Sequence, residues 1–117
     1  MTRNAIEIAR LLVVSSDSAV LRPLWSMRES NCWQLEVAAN AWEAMDEVQS
    51  GVTLDLLLLD LPQGGAEALH ILHRVRRLRP ALPIILIGHP GDVDRKQESI
   101  RMGARDYLTR PLDDQSR

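Results

Sequence analysis

Phenylalanine is absent from this chain, and three tryptophans and one tyrosine, Trp25, Trp33, Trp42 and Tyr107, supply all of its aromatic surface. Readers of single-stranded nucleic acid that stack bases on rings usually need more. The single cysteine, Cys32, rules out an internal disulfide and a multi-cysteine metal site. It reads as a loop or core thiol, and a reducing cytoplasm fits it. A formal net charge of −2, with 26% charged residues, gives no general attraction to nucleic acid or to an anionic membrane. Long apolar runs are also missing: the densest, Leu54 to Leu61, is broken by Asp55 and Asp60, and the opening MTRNAIEIAR has no apolar stretch of signal-peptide type. A soluble chain without membrane contact is expected.

What is present suffices for one core. At 117 residues and 45% hydrophobic content the chain is too short for two ordinary domains. Residues 1–117 are expected to form a single domain, without repeat, low-complexity tract or linker.

Apolar runs bounded by turn residues occur at Leu11 to Val14, Leu35 to Ala38, Leu56 to Leu59 and Ile84 to Ile87, with a shorter one at Tyr107 and Leu108. Their centres lie roughly 20 to 30 residues apart, the interval of a strand plus a crossover helix. The first, third and fourth do not alternate with polar residues, as expected of strands covered on both faces. The pattern predicts a parallel sheet with helices on both sides.

Helix signals fill the intervals. Asn40 is a candidate N-cap and Gly51 a stop for Ala41 to Ser50, with Trp42, Met45 and Val48 at helical spacing. Between Glu67 and Arg79, Leu69, Leu72, Val75 and Leu78 line one side, arginines gather at the C-terminal end, and Pro80 ends the run. Asp92 to Met102 is mostly polar, with Val93 and Ile100 as its main core-facing candidates. The first helix, about Ser18 to Glu29, contains Pro23, so a kink or a short first turn is expected there.

Open parallel sheets form sites outside the carboxyl ends of their strands, where the strand order reverses. Those ends carry Ser15, Ser16 and Asp17, then Asp60, then Gly88 and His89, then Arg110. Asp60 is the sharpest candidate, a carboxylate at the rim of a stiff leucine strand beside the loop LPQGG. Taken alone, it could equally end the strand and cap loop amides.

The segments LLVVSSD, LLLLDLPQGG, PIILIG and GARDYLTRP, in that order and spacing, resemble the receiver domain of two-component response regulators across essentially the whole chain. The resemblance implies an α/β, flavodoxin-like, doubly wound sheet of five parallel strands in the order 2-1-3-4-5. It places Asp60 at the aspartate that takes a phosphoryl group from a histidine kinase, by carboxylate attack aided by charge neutralisation. It also implies Mg²⁺, held by Asp60, by a carboxylate after the first strand and by the backbone carbonyl of Pro62.

Several matched positions depart from the family. The acidic pair falls on Ser15 and Ser16, and hydroxyls replace two charges near a hard dication, so only weak Mg²⁺ binding is expected. Asp17 is the one acid left in that loop, one residue past the usual ligand, and reaching inward would require an altered backbone. Gly88 stands where Thr or Ser usually bonds the phosphoryl oxygen, and Arg110 where Lys pairs with it. An Arg110 to Asp60 ion pair is the natural resting state of such a pocket. Tyr107 matches the aromatic whose rotamer often reports activation, and it could also be ordinary core. In the loop after Asp60, Gly64 and Ala68 replace the usual proline and glycine.

These departures favour a degenerate, pseudo-receiver reading over a functional phosphoacceptor with weak Mg²⁺ binding: a signalling module of a two-component phosphorelay that works by protein–protein contact and not as an enzyme with turnover of its own. The expected partners are a histidine kinase or another signalling protein, and a second copy in a homodimer. An output domain, of the kind that regulates transcription, is expected beyond Arg117, with the fifth helix truncated or absent. A remoter alternative takes SSDS as the phosphate loop of a flavodoxin-like FMN-binding protein, but the loop lacks glycine and GHPGDVD offers no ring to stack on the flavin. His70 and His73, one turn apart, read as a solvated face without a third ligand. The Arg74 to Arg79 cluster reads as a helix C-terminus, without direct nucleic-acid contact.

Overall fold

The structure, a computed structural model, describes residues 9–31, 33–60 and 64–110. Five parallel strands, β1 (Ala9–Val14), β2 (Trp33–Ala38), β3 (Leu56–Leu59), β4 (Ile84–Gly88) and β5 (Asp106–Thr109), form one sheet in the order β2-β1-β3-β4-β5. They alternate with α1 (Ser18–Asn31), α2 (Ala41–Gln49), α3 (Gly64–Leu78) and α4 (Val93–Arg101). This is the flavodoxin-like arrangement that the receiver resemblance implies, built from the parallel strands that the spacing predicts. Residues 111–117, where the truncated fifth helix was expected, lie outside the described residues.

Burial explains why some strands read clearly in the sequence and others less so. Leu11 to Val14 of β1 and Leu57 to Leu59 of β3 are buried throughout, because helices cover both faces of the sheet centre. The edge strands bury less, Leu35 and Ala38 in β2 and Tyr107 alone in β5. One core cluster joins Leu12, Val14, Leu57, Leu59, Ile84 and Leu86 to α2 and α3; the other joins Leu11, Val13, Leu58 and Ile87 to Val20 and Leu24 of α1. Successive strand residues thus serve opposite faces.

Local chemistry sets the helix ends. Asn40 caps α2 by accepting the Glu43 amide at 2.9 Å, and Gly51 follows the helix at φ 88°. The 14-residue α1 runs on through Pro23. Arg76 and Arg79 of the basic cluster donate to the carbonyls of Pro80 and Val48, so part of that charge holds the end of α3.

Three helix expectations are corrected. Trp42, spaced as a core residue, is 84% exposed, while Ala44, Met45 and Val48 carry the buried face of α2. In α3 the buried stripe is Ala68, Ile71, Leu72 and Val75, and Leu78 is exposed. In α4, Val93 and Ile100 are exposed and Ser99 is the buried residue, its hydroxyl donating to the Lys96 carbonyl at 2.9 Å. A small, internally satisfied side chain meets the core here, leaving the larger apolar ones outside.

Leu72 is fully buried and Val93 is not. Leu72→Ala is expected to lower the unfolding free energy by about 2–5 kcal/mol, and Val93→Ser to change it by no more than about 0.5 kcal/mol. Urea denaturation followed by tryptophan fluorescence measures both.

Candidate functional site

The register of the central strands assembles the site. Val14 of β1 pairs with Leu59 of β3, so the next residues, Ser15 and Asp60, emerge side by side where the strand order reverses. Backbone bonds fix both positions: the Asp60 amide donates to the Val14 carbonyl at 2.8 Å, and the Ser15 amide to the Ala38 carbonyl at 2.9 Å. Gly88 pairs with Thr109, and the Arg110 amide donates to the Gly88 carbonyl at 2.8 Å. Arg110 therefore starts one strand beyond β4 and reaches across the end of it.

Asp60 is 2% exposed, and both of its carboxylate oxygens are engaged. The Ser15 hydroxyl donates to Oδ2 at 2.6 Å, and the Arg110 guanidinium donates to Oδ1. A buried carboxylate is tolerable only when paired and hydrogen-bonded in this way. The ion pair expected from the sequence is present. Asp17 joins it from the side, its Oδ2 lying 3.5 Å from Arg110 Nη1. The other oxygen of Asp17 accepts the Ala19 amide at 2.9 Å, which makes it the N-cap of α1.

Ser16, at the matched metal-ligand position, is exposed, whereas Ser15 is the buried hydroxyl that touches the carboxylate. The role of Ser15 as donor to Asp60 was not singled out from the sequence. Strand alternation carried the signal, since Ser15 directly follows Val14 of the buried β1. Pro62 lies outside the described residues.

Gly88 and Tyr107 are brought together. A Cβ built on Gly88 would fall far inside contact distance of the Tyr107 hydroxyl, so the ring occupies the space that a side chain at 88 would need. Tyr107 is 6% exposed, and neither its hydroxyl nor the buried Arg110 Nε has a hydrogen-bond partner among the described residues. Burial pushes the phenol above its ordinary 10.0; Asp92 adds to the rise and Arg95 opposes it.

This donor set does not fit a Mg²⁺ site. A hard dication wants several free oxygen ligands, carboxylates foremost. Here the one buried carboxylate is committed to a guanidinium and a hydroxyl, and Asp17 to a helix amide and the same guanidinium. Among the described residues no group of three or more His, Cys, Asp or Glu side chains could hold a metal ion. Nor is any helix among them long and apolar enough to cross a membrane.

Comparison with known proteins places this geometry. The family model of the response regulator receiver domain matches residues 11–116. The transcriptional regulatory protein ZraR of Escherichia coli (strain K12) is 28% identical over 113 residues, covering 97% of this chain and 25% of that protein. The alginate biosynthesis transcriptional regulatory protein AlgB of Pseudomonas syringae pv. tomato is 31% identical over 102 residues, 87% of this chain and 22% of its own length. The chain thus spans about a quarter of the curated relatives it first matches. Among solved structures, a CheY-like receiver domain protein from Methanospirillum hungatei JF-1 superposes with a TM-score of 0.80 at 24% identity, over 93% of this chain and 86% of that one.

Tyr107 is the one tyrosine, so the ultraviolet absorbance of tyrosinate reports it alone. The folded chain is expected to titrate above 10.0 and the urea-unfolded chain near about 10. Because folding raises this pKa, the associated stability is intact below the unfolded value and is lost as pH climbs through the folded one. Gly88→Ala should drive the ring outward and return its titration toward about 10. An unchanged titration in that variant would contradict the packing described.

Proposed function

Because the chain belongs to the response regulator receiver domain family, we propose that it is a signalling receiver whose phosphoacceptor position, Asp60, is held by Arg110 and Ser15, and which acts through protein–protein contact instead of Mg²⁺-dependent phosphorylation. Receiver domains are signalling domains that typically use Mg²⁺ at the phospho-site. The observation carrying the reading is the engagement of both Asp60 oxygens by side chains of this chain. The Arg110 guanidinium supplies the positive charge that a dication otherwise brings, and it is tethered there. Any Mg²⁺ binding is correspondingly weak.

On this reading the partners are a histidine kinase or another signalling protein in the cytoplasm, and residues 1–117 are the receiver module of a longer regulator. The relatives support that last point, since ZraR and AlgB are transcriptional regulatory proteins about four times the matched length. Direct contact with nucleic acid is assigned to an output domain in the same full-length chain. The phosphoacceptor reading, with weak Mg²⁺, is the outcome that would replace this one.

Incubation with Mg²⁺ and acetyl phosphate, followed by intact mass measurement beside Asp60→Asn, separates the two. No phosphoryl gain is expected; a gain that requires Asp60 would overturn the proposal. Restoring the family's residues, Ser15→Asp with Ser16→Asp and Arg110→Lys, is expected to raise Mg²⁺ affinity by about tenfold or more, ~1.4 kcal/mol, in a metal titration. Unchanged affinity would show that these departures are not what weakens the metal.

A further inference from the structure

α2 and α3 lie side by side and leave a groove of 460 Å³ between them, lined among others by Trp42, Met45, Asp46, His70, Ile71 and Arg74. Trp42 stands at its edge with 84% of its surface exposed, although Met45 and Ile71 beside it are buried. An isolated exposed leucine would mean little, but a tryptophan at the rim of a partly apolar groove is the kind of side chain that anchors protein interfaces.

Charge differs between the two helices, and of their charged residues Asp46 on one side and Glu67 and Arg74 on the other line the groove. α2 carries Glu43, Asp46 and Glu47 and no basic residue; α3 carries Arg74, Arg76 and Arg77, with His70 and His73, against the single acid Glu67. Arg76 is engaged by the Pro80 carbonyl, and among the described residues no ion pair joins the two helices.

A face with one acidic and one basic half matches a rotated copy of itself. Both helices return from parallel strands and so run in the same direction. A twofold axis along the groove sets α2 of each copy over α3 of the other, acid on base twice. An axis across the helices would instead set acid on acid. We propose that this chain pairs with a second copy of itself through the α2–α3 face, with Trp42 of each copy in the partner's groove and Asp46 of each facing Arg74 of the other. A foreign partner would need the same two-sided pattern reversed, whereas a second copy supplies it by symmetry. The pairing uses no group of the Asp60 pocket, so its failure leaves that reading standing.

The interface rests on one helix pair per copy, so a dissociation constant on the order of 100 μM is expected. Sedimentation equilibrium of the full chain at low salt should show dimer that dissociates as salt rises. Trp42→Ser should weaken it by about tenfold or more, with an unchanged urea midpoint because the side chain is exposed. Asp46→Arg and Arg74→Asp should each abolish self-pairing, yet form a heterodimer when mixed. A chain that stays monomeric up to about 1 mM, a dimer insensitive to Trp42→Ser, or two charge-reversed variants that do not pair would each overturn the proposal.

Discussion

The carboxylate of Asp60 is the charge around which this end of the sheet is arranged. It sits at 2% exposure, where a carboxylate without partners is costly to bury. Its two partners come from β1 and from the end of β5, so one side chain ties together three of the five strands. The bond to Arg110 spans two strand spacings, roughly 10 Å, because β4 lies between β3 and β5. A long, forked guanidinium can bridge that distance.

Gly88 decides the place of Tyr107. With nothing at position 88 to exclude it, the ring lies inward and buried, and its hydroxyl is left without a partner among the described residues. That arrangement costs a desolvated hydroxyl and gains the burial of a ring in a chain with few others. Gly88 and Tyr107 therefore form one packing unit. A side chain at position 88 would need the space that the ring takes.

Much of this was legible in the sequence, and for identifiable reasons. Central strands buried on both faces read as unbroken runs, and Asp60 follows from where one of them ends, while the sheet order and the pairing of Asp60 with Arg110 were implied by the receiver resemblance. The rotation of the helices was harder. α4 has few apolar residues, and a single small Ser99 that satisfies its own hydroxyl outcompeted Val93 and Ile100 for the core. Trp42 has core spacing in α2, but Ala44, Met45 and Val48 already fill that face. The choice between Ser15 and Ser16 depended on strand alternation, which a matched motif does not convey.

An ion-operated pocket and an arginine-held pocket differ in what can leave them. A bound dication exchanges with solvent, so its charge is available in one state and absent in another. A guanidinium on the chain stays at high effective concentration, and moves away only if something else meets both its charge and that of Asp60. Asp17 limits even that freedom, because it holds Arg110 from outside while capping α1. Any signal acting on this pocket must therefore differ in its interaction with the paired and unpaired arginine. A partner bringing its own carboxylate or phosphate to Arg110 meets that condition; one that only covers the rim does not.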